Sequence, residues 1–213
     1  MSFPCRPRTI RNPPWRLALV GFAAIVLATS CASSDASQVR GIKVAVVGDS
    51  LTATGEFRIT EQFKQAGWKT SVSAFLGVTT QEQMPVLAKA AKSRSDAYVV
   101  ELGTNDVRQL LHGTTTVAAE QTQLGEAIDL FGSHCVIWVN VDGDPSRPGG
   151  FGGGAFNALL AKEASERPNL HIADLNAMLA THFEYFGPDR IHLTDAGYVA
   201  LGQLMATTTQ RCR

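Results

Sequence analysis

Short apolar runs recur along this chain with room for a helix between each pair, and that alternation limits the folds open to it. The runs are GIKVAVV (41–47), WKTSVSAF (68–75), DAYVVEL (96–102), CVIWVNV (135–141) and NLHIAD (169–174). Most are apolar on successive residues rather than on alternate ones, as expected of strands buried on both faces. The segments between them carry helical spacing. Phe57, Phe63 and Ala66 are expected on one side of a helix that ends near Gly67. Met84, Leu87 and Ala91 mark a helix over 81–93, with Pro85 in its first turn, where a missing N–H is tolerated. A long helix from Thr116 to Phe131 turns Leu124, Ile128 and Phe131 inward, and another spans Ala155 to Glu166. Thr194 is a good cap for a last helix reaching about Thr209. Strands alternating with helices in this way predict an α/β fold with a parallel sheet covered on both faces. Such sheets hold their sites at the C-terminal ends of the strands. Gly48-Asp49-Ser50, Gly77 and Gly103-Thr104-Asn105-Asp106 fall just there, after the first three runs.

At 213 residues, with 45% hydrophobic and 18% charged residues, the chain has the composition of a globular protein with a sizeable core. A formal net charge of zero gives no reason to expect nucleic acid as a partner. The first 30 residues read as a signal peptide. Arg6, Arg8, Arg11 and Arg16 precede the apolar stretch from Leu17 to Thr29, which is short of the ~20 residues that span a bilayer. ATSC (28–31) then resembles a bacterial lipobox, so lipid attachment at Cys31 is expected, with plain secretion or an uncleaved anchor as alternatives. Residues 31–40 follow as a polar tether, and 41–213 form the domain. The expected location is outside the cell membrane, lipid-anchored or secreted, with the anchor as the chain's one membrane contact. Cleavage removes four arginines and no acid, leaving a net charge of about −4. It also removes Cys5, and lipidation occupies Cys31. Cys135 and Cys212 remain, and an oxidising compartment favours a disulfide between them over two buried thiols.

Ser50 stands where a strand turns into a helix, a place equally suited to a helix cap and to a nucleophile. A nucleophile needs a base. GPDRIHLTDAGY (187–198) sets Asp189 three residues before His192, so that a turn brings the carboxylate to Nδ1 and leaves Nε2 free. Asn105 has an amide that suits an oxyanion, and Gly77 an unobstructed N–H; taken singly, both read as turn residues. His112, His134, His171 and His182 show no metal-ligand spacing, so no metal and no cofactor are expected. DGDPSRPGGFGGG (142–154) includes a G-x-G-x-x-A match at 150–155, but it follows the fourth strand. A dinucleotide fingerprint belongs after the first strand of its unit. The stretch reads as a loop beside the pocket or as a linker.

GDSL, Gly77, GTND and DRIH, in that order, resemble the SGNH hydrolase superfamily, the GDSL esterases and lipases. The resemblance runs from Ile42 to about Thr209. It implies a flavodoxin-like three-layer α/β/α sandwich on a five-stranded parallel sheet. It implies Ser50 as nucleophile, His192 as general base and Asp189 as its orienting partner, with the Ser50 N–H, the Gly77 N–H and the Asn105 side chain as oxyanion hole. Asp49 is then a structural turn residue, and Asp106 fixes the Asn105 loop. Arg190 departs from the many members with Gly after the Asp, and puts a positive charge at the rim or simply in solvent. The implied activity is hydrolysis of carboxylic esters, with short acyl groups such as O-acetyl on an envelope or extracellular carbohydrate or lipid, by a monomer. Transfer of the acyl group to a glycan and a binding module without catalysis are the alternatives.

Overall fold

The computed structural model describes residues 42–144, 146 and 152–213. The expected signal peptide, Cys31 and the tether lie outside the described residues. Five strands form one parallel sheet in the order β2-β1-β3-β4-β5: β1 (Lys43–Gly48), β2 (Lys69–Ala74), β3 (Ala97–Glu101), β4 (Val136–Val139) and β5 (Leu170–Ala173). Between and after them run α1 (Ser50–Gln65), α2 (Thr80–Ala91), α3 (Thr104–His112), α4 (Val117–Asp129), α5 (Gly154–Glu166), α6 (Leu175–Thr181) and α7 (Asp195–Thr209).

The strand side chains divide the core in two. Ala45, Val47, Tyr98, Val100, Val136 and Trp138 point to one face and pack on α2, α3, α4 and α5 through Leu87, Val107, Leu124 and Phe156. Val44, Val46, Val99, Ile137 and Val139 point to the other and pack on α1, α6 and α7 through Ile59, Phe63, Leu179 and Leu201. The result is the three-layer sandwich that the sequence predicts, because strands apolar on both sides are stable only when both are covered. Helices α1 and α7 lie close where glycine allows it. A Cβ on Gly55 would stand 2.3 Å from the Tyr198 ring, and one on Gly202 2.9 Å from the Ile59 backbone.

Four readings change. Phe57 is 66% exposed, because α1 buries the face carrying Leu51, Gly55, Ile59 and Phe63. Phe57 instead lies beneath the Arg58 guanidinium. Pro85 falls in the second turn of α2, since a capping box of Thr79 and Glu82 starts the helix at Thr80. It is exposed, so water can replace the one helical hydrogen bond that it forfeits. GTND is not wholly loop: α3 begins at Thr104. The segment after β5 also holds α6.

Register places the site. Gly48 pairs with Ala74 on one side and with Glu101 on the other, so β2, β1 and β3 end level. Asp49-Ser50, Gly77 and Asn105 therefore leave the same edge of the sheet, at the point where the strand order reverses.

A disulfide joins Cys135, just before β4, to Cys212, after α7, across 77 residues of sequence. Closing so long a loop in the unfolded chain stabilises the fold by ~4 kcal/mol on the chain-entropy account. Denaturant titration with and without reductant checks this: the midpoint should fall on reduction, and Cys212→Ser should reproduce the fall without reductant.

Candidate active site

Strand β1 ends at a glycine for a steric reason: a Cβ on Gly48 would lie 2.2 Å from Thr52 Oγ1. The turn that follows is set by Asp49, whose Oδ1 accepts the Leu51 N–H at 2.9 Å and caps α1. Ser50 is the first residue of that helix and 8% exposed. Its N–H belongs to the unpaired donors at the positive end of the helix.

Gly77 lies two residues before the Thr79 cap of α2, at φ +71° with open space where a side chain would be. Its N–H has no acceptor among the described residues. Asn105 is the second residue of α3, which can begin only because Gly103 adopts φ +133° where a Cβ would strike the Phe156 ring. The Asn105 amide ties the other two positions together. Nδ2 donates to the Val78 carbonyl at 2.9 Å, beside Gly77, and to Asp49 Oδ2 at 3.2 Å, beside Ser50. Both amide hydrogens are thus engaged.

Asp106 fixes this loop, as expected. Its two carboxyl oxygens accept the Thr80 N–H at 3.0 and 3.1 Å, joining α3 to the start of α2.

The Asp189–His192 pair forms as the sequence predicts. Asp189 Oδ2 lies 2.6 Å from His192 Nδ1, and Oδ1 accepts the N–H groups of Ile191 and His192 at 3.1 and 3.0 Å. The His192 bond, with these backbone donors, holds the Asp189 carboxyl down at about 2. The loop is fastened on both sides: Gly187 N–H donates to the His192 carbonyl at 2.7 Å, and Phe186 bridges to buried Leu193. Arg190 sits at φ +60°, a conformation that glycine takes freely and other residues adopt at a cost. Its guanidinium lies over the Phe183 ring at the rim. His192 and Ser50 are not hydrogen-bonded to each other among the described residues. Their neighbours do meet: Leu51, Arg190 and Ile191 line one narrow, mainly apolar cleft with Val107, Leu179 and Phe186. A separate groove is lined by Gly77 and Asn105 with the polar residues Glu82, Arg108, Gln109 and His112.

His134 packs against Tyr98, His182 against Glu184 and Tyr185, and burial lowers the His171 pKa within β5. No cluster of potential metal ligands occurs among the described residues. In the glycine-rich stretch, residues 145 and 147–151 lie outside those described.

Sequence reasoning passed over Glu101 and Glu120. Glu101, the last residue of β3, is fully buried beneath the Ser50 turn; its Oε2 accepts the Thr52 N–H at 3.1 Å and Oγ1 at 2.9 Å. Its carbonyl accepts the Asp49 N–H at 3.0 Å. A lone acid closing an otherwise apolar strand was the available signal. Burial raises all four carboxyls: Asp49 to about 6, Glu101 well above its ordinary value, and Asp106 and Glu120 in the same direction.

The family model for GDSL-like lipases and acylhydrolases matches residues 46–200. The O-acetyltransferase OatA of Staphylococcus aureus is 35% identical over 168 residues, 78% of this chain and 24% of that protein. The chain therefore spans about a quarter of the length of the curated relatives that it matches. The catalytic domain of Streptococcus pneumoniae peptidoglycan O-acetyltransferase A has the same fold, with a TM-score of 0.62 at 19% identity over 81% of this chain and 94% of that one. So does a Clostridium thermocellum family 3 carbohydrate esterase, with a TM-score of 0.62 at 15% identity over 81% and 96%.

The buried acids predict a pH dependence of stability. A carboxyl raised in the folded state binds its proton more tightly there than in the unfolded chain. Its contribution is complete below the unfolded value and is lost as pH rises through the folded one. The denaturant midpoint should therefore be higher near pH ~4.5 than near pH ~8. Glu101→Gln and Glu120→Gln, which cannot ionise, should each flatten that slope.

Proposed function

The chain belongs to the GDSL-like lipase/acylhydrolase family, and on that premise we propose that it is a serine esterase cleaving short-chain carboxylic esters through an acyl-Ser50 intermediate. The observation that carries this reading is one cleft lined by the chain neighbours of all three groups, Leu51 beside Ser50, Thr104 beside Asn105 and Ile191 beside His192, with Asp189 bonded to His192 at 2.6 Å. Ser50 Oγ attacks the ester carbonyl while His192 Nε2 takes its proton. Asp189 holds the ring by Nδ1 and stabilises the imidazolium as it forms. The oxyanion is received by the N–H groups of Ser50 and Gly77 and by Asn105 Nδ2, which exchanges its long bond to Asp49 for the new acceptor. His192 then returns the proton to the departing alcohol, and water discharges the acyl-enzyme by the same route. The narrow cleft between Leu51 and Ile191 favours an acetyl-sized group, and the polar groove by Arg108 suits a carbohydrate alcohol.

The similarity to OatA favours a second reading, in which the acyl group passes to a glycan hydroxyl instead of water. The intact Ser50, Asp189 and His192 speak against a module without catalysis. Export with a lipid on Cys31 fits either reaction, as does a working monomer; among the described residues no helix is long and apolar enough to cross a membrane.

A fluorophosphonate should label the wild type and not Ser50→Ala; an unlabelled wild type would remove the nucleophile assignment. Across aryl esters of increasing chain length, turnover should be highest for acetate. Acetylated oligosaccharide formed in water would select transfer over hydrolysis. Asn105→Ala should lower kcat by ~10²–10³ while far-UV circular dichroism is retained; turnover near that of the wild type would exclude Asn105 from the oxyanion hole.

A further inference from the structure

Three donors are expected at the oxyanion hole, and two of them depend on Asp49. Its Oδ1 holds the Leu51 N–H that fixes the turn presenting the Ser50 N–H, and its Oδ2 holds the Asn105 amide. Asp49 in turn sits beside Glu101, its N–H donating to the Glu101 carbonyl at 3.0 Å, and both side chains are buried, at 0% and 2% exposure. Two neighbouring buried carboxyl groups avoid like-charge repulsion by sharing one proton. Thr52 donates twice to Glu101 Oε2, through N–H and Oγ1, which leaves Oε1 to carry the proton toward Asp49. The Gly48–Glu101 register sets this contact, since it places Glu101 directly beside the strand end from which Asp49 emerges.

We infer that Glu101 is a positioning residue for the oxyanion hole: as a neutral carboxylic acid it donates to Asp49, fixes that carboxylate, and so holds the Ser50 turn and the Asn105 amide in place. The inference rests on the Ser50 reading above. The shared proton keeps the charge under the hole at a single negative rather than two, which matters when a further oxyanion must form a few residues away. Loss of the proton would leave two adjacent buried anions and oppose oxyanion formation without touching the cleft that binds substrate. Burial raises both carboxyls, in accord with this arrangement. Other ionisable groups near the pair are Asp106 on α3, which adjoins Glu120, together with His192 and with Tyr198 on α7.

Glu101→Gln and Glu101→Leu separate the possibilities. Gln keeps both functions, a carbonyl for Thr52 and an N–H for Asp49, but has no proton to lose. Leu has similar volume and neither function. With an aryl acetate as substrate, Glu101→Gln should hold kcat within ~3-fold of wild type at neutral pH, whereas Glu101→Leu should lower kcat by ~10-fold or more with KM within ~2-fold. The wild type should lose kcat on the alkaline side as the shared proton leaves, and Glu101→Gln should lack that limb while keeping the acidic limb of His192. The inference is overturned if Glu101→Leu, folded by near-ultraviolet circular dichroism, turns over like wild type. It is also overturned if wild type and Glu101→Gln share one alkaline limb or both have none. Should Glu101→Leu fail to fold, the two pH profiles decide alone. Fluorophosphonate labelling of Ser50 in each protein keeps the two claims apart: an unlabelled wild type defeats the nucleophile reading, whereas a labelled wild type with indifferent Glu101 variants defeats only this one.

Discussion

The edge of the sheet is organised around one buried carboxyl, that of Asp49. It accepts a backbone N–H from its own helix and the Asn105 amide from α3, and it emerges beside Glu101 at the end of β3. The contacts join two segments some fifty residues apart, the β1–α1 turn and the β3–α3 turn, so one side chain sets their relative positions. Such a group is costly to bury, and the cost is offset by its being almost completely satisfied. Its surroundings explain the small residues nearby. Gly48 leaves room for Thr52, and Thr52 in turn is needed for Glu101.

The layers behind this edge make it rigid. Strand side chains on alternate faces meet two separate sets of helices, and neither set can move without opening a core of fully buried aliphatic and aromatic groups. The His192 loop gains its position from α7, whose Tyr198 ring lies where a side chain on Gly55 would otherwise be. Helix α1, which starts at Ser50, and α7, which follows the His192 loop, are held together by the Tyr198–Gly55 contact, the approach of Gly202 to Ile59 and the Arg58–Asp195 ion pair rather than by a direct bond between Ser50 and His192.

Much of this was legible in the sequence, for identifiable reasons. Strands apolar on consecutive residues and helices with three- and four-residue spacing declare their layers, and Thr194 and the Asp189–His192 spacing declare a cap and a turn. The errors arose where local pattern and tertiary context diverge. Phe57 looks like a core residue until Gly55 is seen to face the neighbouring helix. Helix α3 was hidden because the GTND residues that start it are turn formers. The partnership of Glu101 with Asp49 was out of reach, since it depends on strand register and on a proton, and neither leaves a mark in a linear pattern.

The disulfide has a topological consequence. Cys135 and Cys212 close a ring that includes β4, α5, β5, α6 and α7, and therefore both Asp189 and His192. Ser50, Gly77 and Asn105 all lie on the open chain before it. The expected acid–base pair and the expected nucleophile with its anion donors thus belong to two covalently distinct halves, one cyclic and one linear. An oxidised chain that has lost its tertiary structure still carries the base within a tethered loop of restricted size. Reassembly of the site is then a docking of the linear half onto a confined partner, with part of the conformational search already removed.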